Sequence, residues 1–258
     1  MRLSAVDFAM RHGPPALVWR AIAWRNYWFG EVELRLLRRL ADRNRGAVDV
    51  GAHKGVYTYH LARLCPYVWA YEPNPRMAGF LSAACGPSVT VRNVAVSDRA
   101  GCASLRIPLQ DGTPNEGRAG LCAASVGERG EALEIPVRTV RLDEEGLKGI
   151  GFIKIDVEGH ELAVLRGGEG LIRSDRPVLL VEVEQRHIRA PIGEVLGEIE
   201  ELGYVGFFFL GSRMRGLREF DPAVHQRARD VDRRRPKIYV NNFVFVPRST
   251  PRSFVFLT

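Results

Sequence analysis

The stretch Ala47-Val48-Asp49-Val50-Gly51-Ala52-His53-Lys54-Gly55 decides the fold. Ala47–Val50 is a compact apolar strand that runs straight into a turn carrying two glycines, and residues 56–64 then read as a helix. Working outward, Val68–Tyr71 is a second strand ending at Glu72, residues near 75–84 are helical, and Val89–Val96 is a third strand. This β-α-β-α-β order predicts a parallel sheet with right-handed crossovers. Glycines at the first strand-to-helix turn let the backbone approach a ligand closely. Glu72, at the next strand end, stands where a Rossmann-like fold places the carboxylate that accepts from ribose hydroxyls.

The spacing separates two cofactor classes. A dinucleotide turn wants G-x-G-x-x-G, with pyrophosphate on the turn. Here Gly51 and Gly55 stand four apart, and Asp49 precedes them. A carboxylate there repels pyrophosphate but suits the ammonium and hydroxyl groups of S-adenosylmethionine (SAM), which carries no phosphate. The blander alternative is that both glycines only permit tight helix–sheet packing.

Past the third strand, residues 98–140 break the rhythm. Ala103–Ile107 and Leu133–Val137 alternate as an antiparallel excursion, and the Gly-, Ser- and Ala-rich residues 110–130 between them suit a ligand-covering loop. The alternation resumes with strands at Phe152–Ile155, Val178–Val183 and Tyr204–Leu210, helices at 160–174 (which tolerates Gly167, Gly168 and Gly170 poorly) and 192–202, and a seventh strand at Asn242–Val246. Upstream, residues 1–45 read as a helical extension. Leu34, Leu36, Leu37 and Leu40 share a face beside Arg35, Arg38 and Arg39, and Trp19, Trp24, Tyr27, Trp28 and Phe29 crowd a basic segment. Packing on the main domain is the expected role; a lid or a peripheral membrane contact is the sharper one. The division expected is 1–45 extension, 46–248 catalytic domain and 249–258 tail.

The motifs Val48–Gly55, Tyr71-Glu72-Pro73-Asn74-Pro75, Asn93-Val94-Ala95-Val96-Ser97-Asp98 and above all Phe152-Ile153-Lys154-Ile155-Asp156-Val157-Glu158-Gly159-His160-Glu161 resemble the FkbM-type SAM-dependent methyltransferases. The resemblance covers roughly residues 27–210. It implies a Rossmann-like, seven-stranded class I methyltransferase sheet that binds SAM and usually methylates oxygen. By motif, Asp49, Gly51, Ala52, His53 and Gly55 frame the methionine end and Glu72 the ribose. Asn93, Val94, Ala95 and Asp98 lie beside the adenine, Asp98 nearest its amino group, and Asp156 borders the cofactor. The family usually has Asn where His53 stands.

Ligands of open α/β sheets bind beyond the carboxyl ends of the strands. Asp156 and Glu158 follow the fourth strand, and Glu182 and Glu184 the fifth. Alternation puts Lys154, Asp156 and Glu158 on one side. Lys154, Asp156, Glu158, His160 and Glu182 are therefore the catalytic candidates. Lys154 reads equally as an ion-pair partner and His160 as a helix cap, while Glu161 serves its helix N-terminus. A divalent cation on Asp156 and Glu182 is an alternative mechanism, but nothing fixes a third ligand and no metal site is expected.

The 258 residues carry a formal charge of +7, and of 37 basic residues only Lys54, Lys148, Lys154 and Lys237 are lysine. That charge invites nucleic acid, yet no N-P-P-Y-type motif or RNA-binding module accompanies it. The arginine-rich segment 211–237 suits a phosphate- or carboxylate-bearing acceptor instead, with a plain solvated loop as the alternative. No apolar run approaches the roughly 20 residues that cross a bilayer. Asp7, Arg11 and His12 interrupt any leader, so a cytoplasmic enzyme is expected. Cys65, Cys85, Cys102 and Cys122 lack metal or disulfide spacing and read as buried free thiols. The reading is an O-methyltransferase acting on a hydroxyl of a sugar or glycosylated secondary metabolite. Nucleic-acid methylation and non-catalytic SAM binding are the alternatives.

Overall fold

Proline and glycine divide the N-terminal extension. The computed structural model describes residues 5–121, 130–211, 213–227 and 239–250, and it opens with three helices, α1 (Ala5–His12), α2 (Pro15–Phe29) and α3 (Val32–Leu40). Pro15 starts α2, where its missing N–H costs nothing, and Gly30 ends it. The alternation then runs β1 (Gly46–Val50), α4 (Val56–Leu61), β2 (Val68–Tyr71), α5 (Pro75–Ala84) and β3 (Val89–Arg92). Strands β1, β2 and β3 pair in parallel, Ala47 opposite Val68 and Val68 opposite Val89.

The third strand is shorter than its apolar pattern. Asn93 turns the chain, its Nδ2 donating to the carbonyls of Glu72 at 2.8 Å and Pro73 at 3.0 Å. Ala95–Val96 becomes β4 of a separate sheet. There β5 (Gly101–Gln110), β6 (Thr113–Pro114), β7 (Gly120–Leu121) and β8 (Ala132–Val140) form the antiparallel excursion, with Leu105 opposite Ile135. Ala95, Leu105, Ile107, Leu121 and Val137 are its small core.

The chain returns as β9 (Ile150–Ile155), buried throughout, followed by α6 (Glu161–Gly167) and α7 (Glu169–Asp175). The single helix expected over 160–174 is two, because the Asp143 carboxylate accepts from the N–H groups of Gly170 and Leu171 and so starts a second helix. Then come β10 (Val178–Glu182), α8 (Ile192–Glu201), β11 (Tyr204–Leu210), β12 (Arg213–Gly216), α9 (Pro222–His225) and β13 (Asn242–Pro247). The main sheet has the order β12-β11-β13-β10-β9-β1-β2-β3, with β13 antiparallel to both neighbours. This is the class I methyltransferase sheet the resemblance implies, with an eighth strand, β12, added at its edge.

Helices α6, α7 and α8 pack one face through Val164, Leu171 and Val195. Trp19 of α2, Leu37 of α3, Leu61 of α4 and Leu81 of α5 cover the other. The thiols, expected to be buried, are not uniformly so: Cys65 is buried, Cys85 partly so, and Cys102 lies exposed on β5. No helix among the described residues is long and apolar enough to cross a membrane. Cys122, residues 122–129 of the covering loop, Arg229, Arg233, Arg234, Arg235 and Lys237 lie outside the described residues.

Candidate active site

The β1–α4 turn is shaped by what presses on it. Gly51 has φ 79°, and a Cβ there would lie 1.8 Å from the Asp156 carbonyl oxygen, so only glycine lets the β9 end cross this turn. Gly55 fits the packing alternative. Its φ is 71°, and an added Cβ would meet Leu81 Cδ2 at 2.2 Å and Trp19 Nε1 at 2.7 Å. Trp19 Nε1 donates to the Gly55 carbonyl at 2.8 Å, fastening α2 to the turn. His53 takes φ 48°, a conformation that Asn and His tolerate better than most residues.

Two carboxylates sit under this turn. Asp49 is buried and accepts from Thr58 Oγ1 at 2.5 Å; burial pushes its acid up to about 6. Glu72 Oε2 accepts the His53 N–H at 2.6 Å and Oε1 the Asn74 N–H at 2.8 Å. Burial pushes Glu72 up to about 7, against those two hydrogen bonds.

Two clefts meet here. The first, about 650 Å³, lies between the main sheet and the antiparallel excursion, lined by Gly51, His53, Glu72, Pro73, Ala95, Val96, Leu105, Leu121, Asp156, Glu158 and His160. The second, about 1130 Å³, lies under α2 and α3, lined by Arg25, Phe29, Glu31, Asp49, Ala52, Lys54, Tyr57, Lys154 and Asp156. Gly51, His53 and Asp156 belong to both. His53 Nε2 is buried at the junction without a hydrogen-bond partner, and burial with the nearby Lys54 lowers its imidazole to about 4, leaving it neutral.

Lys154, 1% exposed, forms the floor of the second cleft. Its Nζ is 3.1 Å from Asp156 and 3.8 Å from Glu182, and it stands over the Tyr57 ring. Burial alone would lower the ammonium, but Asp156 and Glu182 outweigh it and hold it above its ordinary value. Burial and the Asp156 charge push Glu182 well up, and Asn241 Nδ2 donates to it at 2.7 Å. The two carboxylates considered for a metal thus share a lysine. Among the described residues no group of three or more His, Cys, Asp or Glu side chains is placed to hold a metal ion.

Sequence reasoning missed several neighbours. Glu31, from the α2–α3 turn, accepts from the Tyr57 hydroxyl at 2.5 Å. His187 Nδ1 lies 2.7 Å from Glu158, itself at φ 53°. Tyr239 donates its hydroxyl to Glu184, which also holds Arg186. The motif's spacing gives no hint of these partners, which arrive from distant segments. Conversely, Asn93, Val94 and Asp98 do not line the first cleft. Asn93 is spent on backbone carbonyls, Val94 is core, and Asp98 accepts from Ser97. His160 does line it, sharing a 2.9 Å hydrogen bond with Ser97 Oγ.

This donor set fits SAM. Each Glu72 oxygen accepts one backbone N–H and keeps capacity for a ribose hydroxyl. Pro73, Ala95, Val96, Leu105 and Leu121 form an apolar slot of a kind that suits a planar base, and the unpartnered His53 Nε2 is buried where the two clefts meet.

A family model shows where the chain belongs. The model of the methyltransferase FkbM domain matches residues 49–205. No curated protein matches the chain. Among solved structures it is similar to the methyltransferase FkbM from Methylobacillus flagellatus KT, at 14% identity and TM-score 0.49, covering 93% of this chain but only 58% of that one. The precorrin-6y C5,15-methyltransferase from Geobacter metallireducens GS-15 is similar at 15% identity and TM-score 0.44, covering 84% of this chain and 89% of that one. The magnesium protoporphyrin IX methyltransferase from Synechocystis PCC 6803, solved with bound SAM, is similar at 12% and 0.44, covering 96% and 86%. With the family match spanning more than half of its length, the chain belongs to the FkbM family of SAM-dependent methyltransferases.

Proposed function

We propose that this chain methylates a hydroxyl oxygen of a sugar or of a glycosylated secondary metabolite, its 46–248 domain holding the cofactor and the 1–45 extension roofing the acceptor. The observation that carries this reading is the second cleft, polar and lined by both signs of charge, meeting the first at Gly51, His53 and Asp156. A balanced lining suits a neutral, hydroxyl-rich acceptor, and neutral sugars are preferred here to anionic ones.

Bound SAM supplies an electrophilic methyl on a sulfonium, a displacement whose chemistry is the cofactor's own. The protein aligns the reacting groups and takes a proton. Glu72 accepts from the ribose hydroxyls, and Asp49 with the turn of Gly51 and Ala52 faces the methionine end. Asp156 is the proposed proton acceptor for the hydroxyl, because it alone among the strand-end carboxylates borders both clefts. Lys154, held cationic, fixes the Asp156 carboxylate and offsets the Glu182 charge. Glu158, held by His187, and His160, held by Ser97, wall the cofactor cleft.

Calorimetric titration with SAM and S-adenosylhomocysteine tests the cofactor half, beside an Asp49→Ala, Glu72→Ala double variant that should lose binding. Transfer of labelled methyl to a panel of sugar glycosides tests the acceptor half. Asp156→Asn should keep cofactor binding within about threefold and lose at least about 100-fold in kcat. Methyl incorporation into RNA or DNA with none into glycosides would overturn the acceptor reading.

A further inference from the structure

Methyl transfer leaves one face of α2 without a role. This helix has no acidic residue and is apolar on two opposite sides. Trp19 and its neighbours form the buried side, anchored on Gly55. At 100° per residue, Leu17, Trp24 and Trp28 fall in one stripe on the opposite side, flanked by Arg20 and Arg25. Leu17 and Trp28 are each 63% exposed, and Phe29, at the helix end, 84%. Packing on the main domain satisfies only the first apolar side, and a contiguous exposed apolar patch marks an interaction. The face is also pre-ordered. Trp24 meets Tyr27 edge-on at 5.6 Å and His60 at 6.1 Å, and Tyr27 meets Trp28 at 5.5 Å. Among the described residues, neither Arg20 nor Arg25 has a hydrogen-bond or ion-pair partner.

We propose that this face docks the protein on an anionic lipid bilayer, the tryptophans at the headgroup boundary and the arginines on lipid phosphates. Tryptophan's amphipathic ring favours that boundary, and an interfacial helix combines such rings with arginines on its flanks. A second copy of the chain fits worse. A twofold contact would set α2 against α2, bringing their arginines together with no carboxylate on the helix to offset them. Arg25 and Phe29 also line the second cleft, so docking holds the mouth of that cleft at headgroup depth. That consequence alone rests on the methyl-transfer reading: the acceptor hydroxyl would be carried by a membrane lipid or a lipid-linked sugar.

Co-sedimentation of the full chain with vesicles tests the docking without any acceptor. The protein should pellet with phosphatidylcholine vesicles containing phosphatidylglycerol, shift its tryptophan emission to the blue, and release at high salt. Each arginine near such a surface is worth about 1 kcal/mol, or about fivefold. Arg20→Gln with Arg25→Gln should therefore weaken partition about thirtyfold, and Leu17→Ser with Trp28→Ser should abolish the blue shift. Melting within a few degrees of wild type checks that these surface variants fold. Folded wild-type protein that stays in the supernatant overturns the proposal, as does binding that both variants retain. So does concentration-dependent self-association that the variants abolish without any vesicle binding. SAM titration of the same samples is independent of all three results, so loss of the cofactor reading would be seen separately.

Discussion

Glu72 shows how much one side chain is asked to do. Both oxygens hold backbone N–H groups, from His53 and Asn74, that shape the cofactor turn. Glu72→Gln supplies a single oxygen, so one of those N–H groups or one ribose hydroxyl loses its acceptor. A hydrogen bond to a charged group contributes about 1.5–3 kcal/mol, so SAM affinity should fall between about tenfold and 100-fold by calorimetry. Unchanged affinity would remove Glu72 from the cofactor site. Lys154 carries a different expectation. Lys154→Met leaves the partly buried Asp156 and Glu182 without the cation they share, at a cost of about 1.5–3 kcal/mol. Adding Glu182→Gln should restore part of that loss in denaturant melts, since it removes one of the two stranded charges. Asp49, Gly51, Glu72 and Asp156 were legible in the sequence because each ends an apolar strand on the ligand side of the sheet. Asn93 and Asp98, expected beside the adenine, have their side chains engaged by backbone carbonyls and by Ser97. A short polar side chain satisfies a nearby backbone as readily as a ligand, and sequence does not say which it does. Glu31, Tyr57 and His187 gave no signal because their partners come from segments 26 to 29 positions away.

At the scale of elements, α2 is the piece that joins extension to cofactor turn. Its Trp19 indole donates to the Gly55 carbonyl while its ring packs edge-on against Tyr59 at 5.1 Å. Trp19→Phe keeps an aromatic ring and removes the donor; the Gly55 carbonyl keeps the Tyr59 N–H at 2.9 Å, so the loss is one hydrogen bond, about 0.5–1.5 kcal/mol. The melting temperature should drop by roughly 2–4 °C per kcal/mol. Hydrogen exchange should rise in α2 and the β1–α4 turn together, whereas exchange rising in α2 alone would mean that the two are not coupled. The core strands were legible from continuous apolar runs, which only a doubly covered parallel sheet produces. Strand β12 was not, because Arg213-Met214-Arg215-Gly216 pairs through its backbone at an edge and carries no apolar signal. The break between α6 and α7 was signalled only by Gly167, Gly168 and Gly170, because Asp143, which starts the second helix, lies outside the stretch that hydrophobic periodicity samples.

For the molecule as a whole, the decisive feature is a set of buried carboxylates in a chain whose formal charge is +7. Burial raises Asp49 to about 6 and Glu72 and Glu161 to about 7, and it pushes Glu158 and Glu182 in the same direction. An acid raised on folding binds more protons in the native than in the unfolded chain, so its stabilisation is present below the unfolded value and is lost as pH rises through the folded one. At 1.36 kcal/mol per unit, Glu72 alone accounts for about 3 kcal/mol between pH 4.5 and 8. The histidines oppose this at the acid end. Burial lowers His53 to about 4 and moves His60 and His160 down as well, so their contribution is lost as pH falls below 6.5. Above pH 6.5 the lowered histidines are neutral in both states, and the carboxylates act without that opposition. Cofactor-free protein should therefore melt at a higher temperature at pH 6 than at pH 8, and Glu72→Gln with Glu161→Gln should flatten that slope. An ionised carboxylate accepts from ribose hydroxyls more strongly than the neutral acid does, so cofactor binding should expel the Glu72 proton and tighten as pH rises from 6 to 8. At pH 7, near the folded value for Glu72, binding should release about half a proton. Titrations with S-adenosylhomocysteine in phosphate and in Tris, whose ionisation enthalpies differ widely, read that proton directly. Identical heats in the two buffers at pH 7 would mean that Glu72 is already ionised in the free protein, and burial would then not govern the acidity of this site.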